Sequence, residues 1–111
     1  MMRQSQSAVL ERGCILGEEH ATEPFEVAWA SEARWFVQFY KPAAGTRVSF
    51  QVQISPDGIH WMDHESERIE ADAEGWVTTS TSNFGFWLRL KTSRIAGEGS
   101  PTVKIYLELK E

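Results

Sequence analysis

The residues best equipped for chemistry crowd into one stretch, "QVQISPDGIHWMDHE", Gln51 to Glu65. It carries two histidines, His60 and His64, two aspartates, Asp57 and Asp63, and Trp61. Imidazole and carboxylate together could hold zinc or nickel. The spacing argues against a shared ion. Along a flat strand, residues i and i+4 lie about 13 Å apart on one face. His60 and His64 could share an ion only across a sharp fold, so they read as solvated histidines at a strand edge. No metal ligand is assigned.

Other chemistries fare no better. Cys14 is the one cysteine, with no histidine close by in sequence, and it reads as a small core residue. No Gly-x-Ser-x-Gly elbow occurs among the serines. The acids Glu18, Glu19, Glu65, Glu67, Glu70, Asp72 and Glu74 fall in the runs "EEHATE" and "ESERIEADAE". A general acid needs an apolar pocket around its carboxyl, and these runs read as solvated charge. Neither has the alternating Asp/Asn pattern of a dedicated calcium loop; calcium in these acidic loops stays an open alternative. "GEGS", Gly97 to Ser100, lacks the Lys and Ser/Thr that a phosphate loop requires. The expectation is a protein without catalytic residues or cofactor, not an enzyme.

The elements that must position these residues are strands. "TRVSFQVQIS" alternates Val48, Phe50, Val52 and Ile54 with Ser49, Gln51 and Gln53. "PTVKIYLELK" alternates Val103, Ile105, Leu107 and Leu109 with Lys104, Tyr106, Glu108 and Lys110. "NFGFWLRLK" alternates Phe84, Phe86, Leu88 and Leu90 with Trp87, Arg89 and Lys91. Period two with one apolar side is the mark of a half-buried strand. "ARWFVQFY" puts Trp35, Val37 and Phe39 on one face and Phe36 and Tyr40 on the other. "PFEVAWA", "GWVTTSTS", "HWMDHE" and "SAVLERGCIL" are further strands, the last with Gly13 allowing a bulge. "ESERIEADAEG" reads as a short strand around Arg68 to Ile69 and an acidic turn closing at Gly75.

"KPAAG", "SPDG", "DAEG" and "AGEGSP" separate these runs. In Ser-Pro-Asp-Gly, Pro56 presets its φ, Asp57 bonds back to the chain and Gly58 takes positive φ. The stretch of histidines and aspartates is thus a hairpin corner, with Trp61 near the turn and able to cover the strand pair. Short strands with turns about every ten residues indicate a sandwich or barrel.

"VQISPDGIHW" and the closing "FWLRLKTSRIAGEGSPTVKIYLELK" resemble galactose-binding-like, discoidin-type domains and small β-sandwich modules of bacterial and phage surface proteins. The shared marks are a strand, a Ser-x-Asp-Gly turn and a tryptophan, then a strand with a mid-strand Arg, a Gly-rich crossover and a final alternating strand. The resemblance implies an all-β, single antiparallel β-sandwich of jelly-roll topology with about eight strands. Residues 1–6 are expected to be a disordered tail and 7–111 the domain.

Bulk numbers bound the function. The chain has 111 residues, a net charge of −5 and 12% aromatics. Eleven scattered Lys and Arg disfavour nucleic acid and anionic membranes. A single cysteine allows no intrachain disulfide and suits a reducing compartment. The first residues lack an apolar core and a small-residue cleavage site, so no signal peptide is expected. The expected location is cytoplasmic, or a virion or particle assembled in a cytoplasm.

Outward-facing aromatics are the remaining signal. Trp87, Arg89, Tyr106, Gln51, Gln53, Phe36, Gln38 and Tyr40 form one candidate binding surface if their strands are neighbours. Rings and guanidinium are the usual anchors of protein interfaces. A second apolar face on "ARWFVQFY" also needs a partner, so a homo-oligomer built on this face is expected. The alternative is a carbohydrate-binding module, with rings against sugar C–H faces and amides against hydroxyls.

Overall fold

A computed structural model describes residues 4–111, and all ten of its regular elements are strands. They are β1 (Ser5–Ile15), β2 (Glu19–Ala21), β3 (Phe25–Glu26), β4 (Glu32–Lys41), β5 (Arg47–Ser55), β6 (Met62–Asp63), β7 (Ile69–Asp72), β8 (Gly75–Ser82), β9 (Trp87–Ala96) and β10 (Thr102–Lys110). One sheet has four strands in the order β1-β10-β4-β8. The other has six, with β2-β9-β5-β6 as its path, β3 beside β9 and β7 beside β5. Every pairing is antiparallel.

Ten segments occupy eight positions. β2 pairs with β9 at Lys91 to Ser93 and β3 pairs with it at Trp87 to Leu88, so the two are one interrupted strand. β6 and β7 likewise share β5, at Gln53 to Ile54 and at Arg47 to Phe50. Counted that way, the sheets read 1-8-3-6 and 2-7-4-5, which is a jelly roll. Both interruptions have a chemical cause. Pro24 has no N–H to give a ladder, and just before it Thr22 accepts the Leu90 N–H on its hydroxyl at 3.0 Å. Between β6 and β7, His64 holds the chain inward, as described below.

The alternating apolar positions form the core. Trp35, Val37 and Phe39 of β4 meet Leu88 and Leu90 of β9, Val48, Phe50 and Val52 of β5, and Val103, Ile105, Leu107 and Leu109 of β10, all buried. Each such side chain contributes about 1.5–3 kcal/mol on burial. The alternation fails at Phe86, which precedes β9 and is exposed. There the Phe86 carbonyl accepts the Val27 N–H at 2.7 Å, and the side chain points away.

The tail expected over residues 1–6 is not met at Ser5 and Gln6, which pair with Lys110 and Leu109. β10 needs a neighbour on that side, and β1 supplies it from its first residues. Met1 to Arg3 lie outside the described residues. Gln4 accepts the Glu111 N–H at 2.9 Å, so the two ends of the described chain meet.

Candidate functional site

The histidine-rich stretch is a corner, as its turn chemistry predicts. Asp57 Oδ1 accepts the N–H groups of Ile59 and His60, both at 2.8 Å, and the Ser55 hydroxyl at 2.9 Å. Ser55 Oγ accepts the Gly58 N–H at 2.8 Å. The bond from the His60 N–H, then that from its ring, hold the Asp57 carboxyl well below the usual carboxylate range. Gly58 has φ of 79°, and a Cβ there would lie 3.3 Å from the Trp87 ring. The turn is therefore seated on Trp87.

The two histidines serve different partners. His60 is exposed and bonds Asp57 through Nδ1 at 2.6 Å. His64 is buried at 6% exposure, which corrects the expectation of a solvated strand-edge residue. Its Nδ1 accepts the Ser66 N–H at 3.0 Å, and its Nε2 reaches the Ser82 carbonyl at 2.9 Å. His64 thus ties the β6–β7 link to the end of β8.

The eight candidate surface residues do not share a face. Gln51, Gln53, Trp87 and Arg89 belong to the six-stranded sheet, whereas Phe36, Gln38, Tyr40 and Tyr106 belong to the four-stranded one. Alternation tells which side of a strand is dry, but not which strands are neighbours.

On the six-stranded sheet the candidates are already engaged. Arg89 Nε donates to Gln53 Oε1 at 2.7 Å, and Gln53 Nε2 donates to Asp63 Oδ1 at 2.9 Å. The Arg89 guanidinium lies 4.4 Å from the centre of the Trp61 ring. Burial pulls its pKa down from the ordinary value. Gln51 donates to the Val52 and His64 carbonyls. Gln53 is only 7% exposed. Trp61 covers this pair of strands, so the amides and guanidinium satisfy one another there.

On the four-stranded sheet the rings are presented. Tyr106 pairs across the ladder with Phe36, and Trp76 with Gln38. Trp76 and Tyr106 stack across β4, with centroids 6.1 Å apart and planes at 24°. Trp76 is 60% exposed and Tyr40 51%. The Lys104 ammonium sits 4.8 Å over the Tyr40 ring. Trp76 is the largest member of this face and the one that sequence reasoning missed. Its signal was the alternation of "GWVTTSTS", in which Trp76 and Thr78 share a side opposite Val77 and Thr79. Further along the same face, Glu32 pairs with Lys110 and Arg34 with Glu108 across β4 and β10. A cleft of about 440 Å³ opens beside these charges.

A third cluster stands at the open edge between the sheets. His20 Nε2 lies 2.9 Å from Glu11 Oε1 and 3.5 Å from Cys14 Sγ, with the sulfur 3.8 Å from Nδ1. Cys14 therefore does have a histidine beside it. Burial, then the Glu11 charge, push the thiol above its ordinary pKa.

No protein-family model and no curated protein sequence matches the chain. Solved structures match it in fold. It is similar to the PBSX exported protein XepA, with a TM-score of 0.69 at 11% identity over 94% of this chain. It is similar to a chain of infectious bursal disease virus, Gx strain, with 0.56 at 11% over 97%. It is similar to SPBc2 prophage-derived protein YomS, with 0.50 at 10%, over all of this chain and 96% of that one. The chain spans 36% of the XepA chain and 32% of the viral one. At these identities the likeness is one of fold: a β-sandwich of the kind seen in phage proteins, as the sequence resemblance implied.

Proposed function

We propose that this protein is a non-catalytic assembly module that pairs with further copies of itself through the outer face of β1-β10-β4-β8. The observation that carries the reading is the exposed Trp76 stacked on the half-buried Tyr106, with Tyr40 and Phe36 beside them. Aromatic anchors of this kind dominate association energies. The charges beside them favour a second copy as the occupant. Glu32 and Glu108 sit among Arg34, Lys104 and Lys110 on one face. Two such faces related by a twofold axis can set acid over base. Phage and viral chains share the fold. A cytoplasmic place of assembly fits a chain with one unpaired cysteine.

Two features support the absence of catalysis. The Cys14 sulfur stands nearly equidistant from both nitrogens of His20, on the lone pair of neither. Its raised pKa is the reverse of what an activated thiolate needs. Light scattering over a micromolar concentration series tests the reading. The expected result is a discrete oligomer that Trp76→Ser with Tyr106→Ser reduces to monomer. A strict monomer in the unaltered protein overturns it.

Gln38, set among these rings, favours one second reading, a glycan-binding face. There, a glycan panel titrated against tryptophan fluorescence gives a saturable response that Trp76→Ser abolishes, and Arg89→Ala leaves it unchanged.

A further inference from the structure

We infer that Glu11, Cys14 and His20 form a binding site for one divalent zinc-class ion, at the edge where β1 of one sheet faces β2 of the other. The ligand atoms of the three side chains all lie within 4.8 Å of one another. The inference is independent of the sheet-face reading.

The backbone explains why they converge. Residues three apart on a regular strand point to opposite faces, because the side-chain period is two. Glu11 and Cys14 point the same way because β1 shifts register between them, three residues on β1 facing two on β10. Bulges of this kind re-aim side chains. His20 arrives from β2, where it pairs with Thr92. The chain turns between the sheets at Leu16 to Glu18, which brings the two strands together.

The dimensions suit zinc. With Zn–S near 2.3 Å and Zn–N near 2.05 Å, tetrahedral geometry sets sulfur and nitrogen about 3.6 Å apart, and nitrogen and carboxylate oxygen about 3.3 Å apart. The structure has 3.5 Å for Cys14 Sγ to His20 Nε2 and 2.9 Å for His20 Nε2 to Glu11 Oε1. Rotation of the His20 ring, with a few tenths of an ångström of opening at Glu11, makes room for the ion. Thiolate, imidazole and carboxylate are a donor set that zinc accepts. The ion displaces the thiol proton, while a neutral His20 ring binds through one nitrogen and keeps its proton on the other, so binding releases a proton and strengthens as pH rises. The three side chains are each partly exposed, leaving the fourth position to water.

The test is titration of the metal-free protein with Co²⁺ and then Zn²⁺. The expected result is one Co²⁺ per chain with a thiolate-to-cobalt charge-transfer band, displaced by Zn²⁺. Loss of an outer-sphere partner alone weakens metal sites about 10–100-fold. Glu11→Gln, His20→Ala and Cys14→Ser must each weaken binding at least that much, and His60→Ala must leave it unchanged. Circular dichroism of each variant confirms the fold, with Cys14→Ala as the substitute if Cys14→Ser does not fold. In the unaltered protein, Zn²⁺ must also slow alkylation of Cys14 by iodoacetamide. Substoichiometric Co²⁺, no charge-transfer band, or unaltered affinity without the Cys14 sulfur overturns the site.

Discussion

The two outer faces of the sandwich use the same kinds of residue to opposite ends. Arg89, Gln53, Trp61 and Trp87 on the six-stranded sheet bond and pack with one another and with the Ser55–Gly58 turn. On the four-stranded sheet Trp76 stacks on the half-buried Tyr106, Trp76 and Tyr40 stand exposed, and Phe36 and Gln38 lie half-buried between them. An aromatic–amide–guanidinium surface is thus a binding surface only where its polar atoms lack partners within the chain. The first face should carry stability and little recognition, and the second the reverse.

Substitutions that separate the two roles sharpen or break that contrast. The largest loss of stability is expected from Arg89→Ala, which strands Gln53 Oε1 in a nearly dry site and uncovers Trp61. About 2–3 kcal/mol should vanish from the urea unfolding free energy, with the oligomer size unaltered at concentrations where the protein stays folded. Gly58→Ala follows at about 1–2 kcal/mol, since alanine resists positive φ and its Cβ would meet Trp87. If instead Arg89→Ala dissociated the oligomer and left stability intact, the assignment of the two faces would be reversed.

On the other face, Trp76→Ser should cost the folded subunit no more than about 1 kcal/mol, because the ring it removes is exposed. Its effect should appear in light scattering as dissociation. The smallest effect concerns Asp57. Its carboxyl pKa is depressed in the folded chain, so its contribution is fully present above the ordinary value of 3.8. It is lost as pH falls below that value towards the folded one. The gap in urea midpoint between the unaltered protein and Asp57→Asn should hold steady down to about pH 5 and narrow progressively as pH falls below 3.8. A gap that widened on acidification would refute the sign.

Much of this was legible in the sequence. The in–out order of β4, β5 and β10 follows from alternation, and the corner at Ser55–Gly58 follows from its turn residues. Strand neighbourhood was not legible, because alternation is a property of one strand and pairing belongs to two. That is why Trp87 and Tyr106 were expected on a common surface. Gln53 was expected in water because a strand pattern does not record what a later loop lays over it. The approach of Cys14 to His20 was hidden for a different reason. It depends on a bulge that changes the parity of β1, and Gly13 was its only trace. His64 looked like a surface histidine until its backbone partners at Ser66 and Ser82 were in place.

The bond between Gln4 and Glu111 has a use beyond β1–β10 pairing. Residues 4 and 111 lie side by side, so the order of the segments between them can be rewritten. Linking residues 4 and 111 with a few glycines and cutting at the exposed Ile59–His60 corner should leave the jelly roll's connectivity otherwise intact. The same closeness would let the domain sit as a bead within a host's surface loop, entering and leaving at one point.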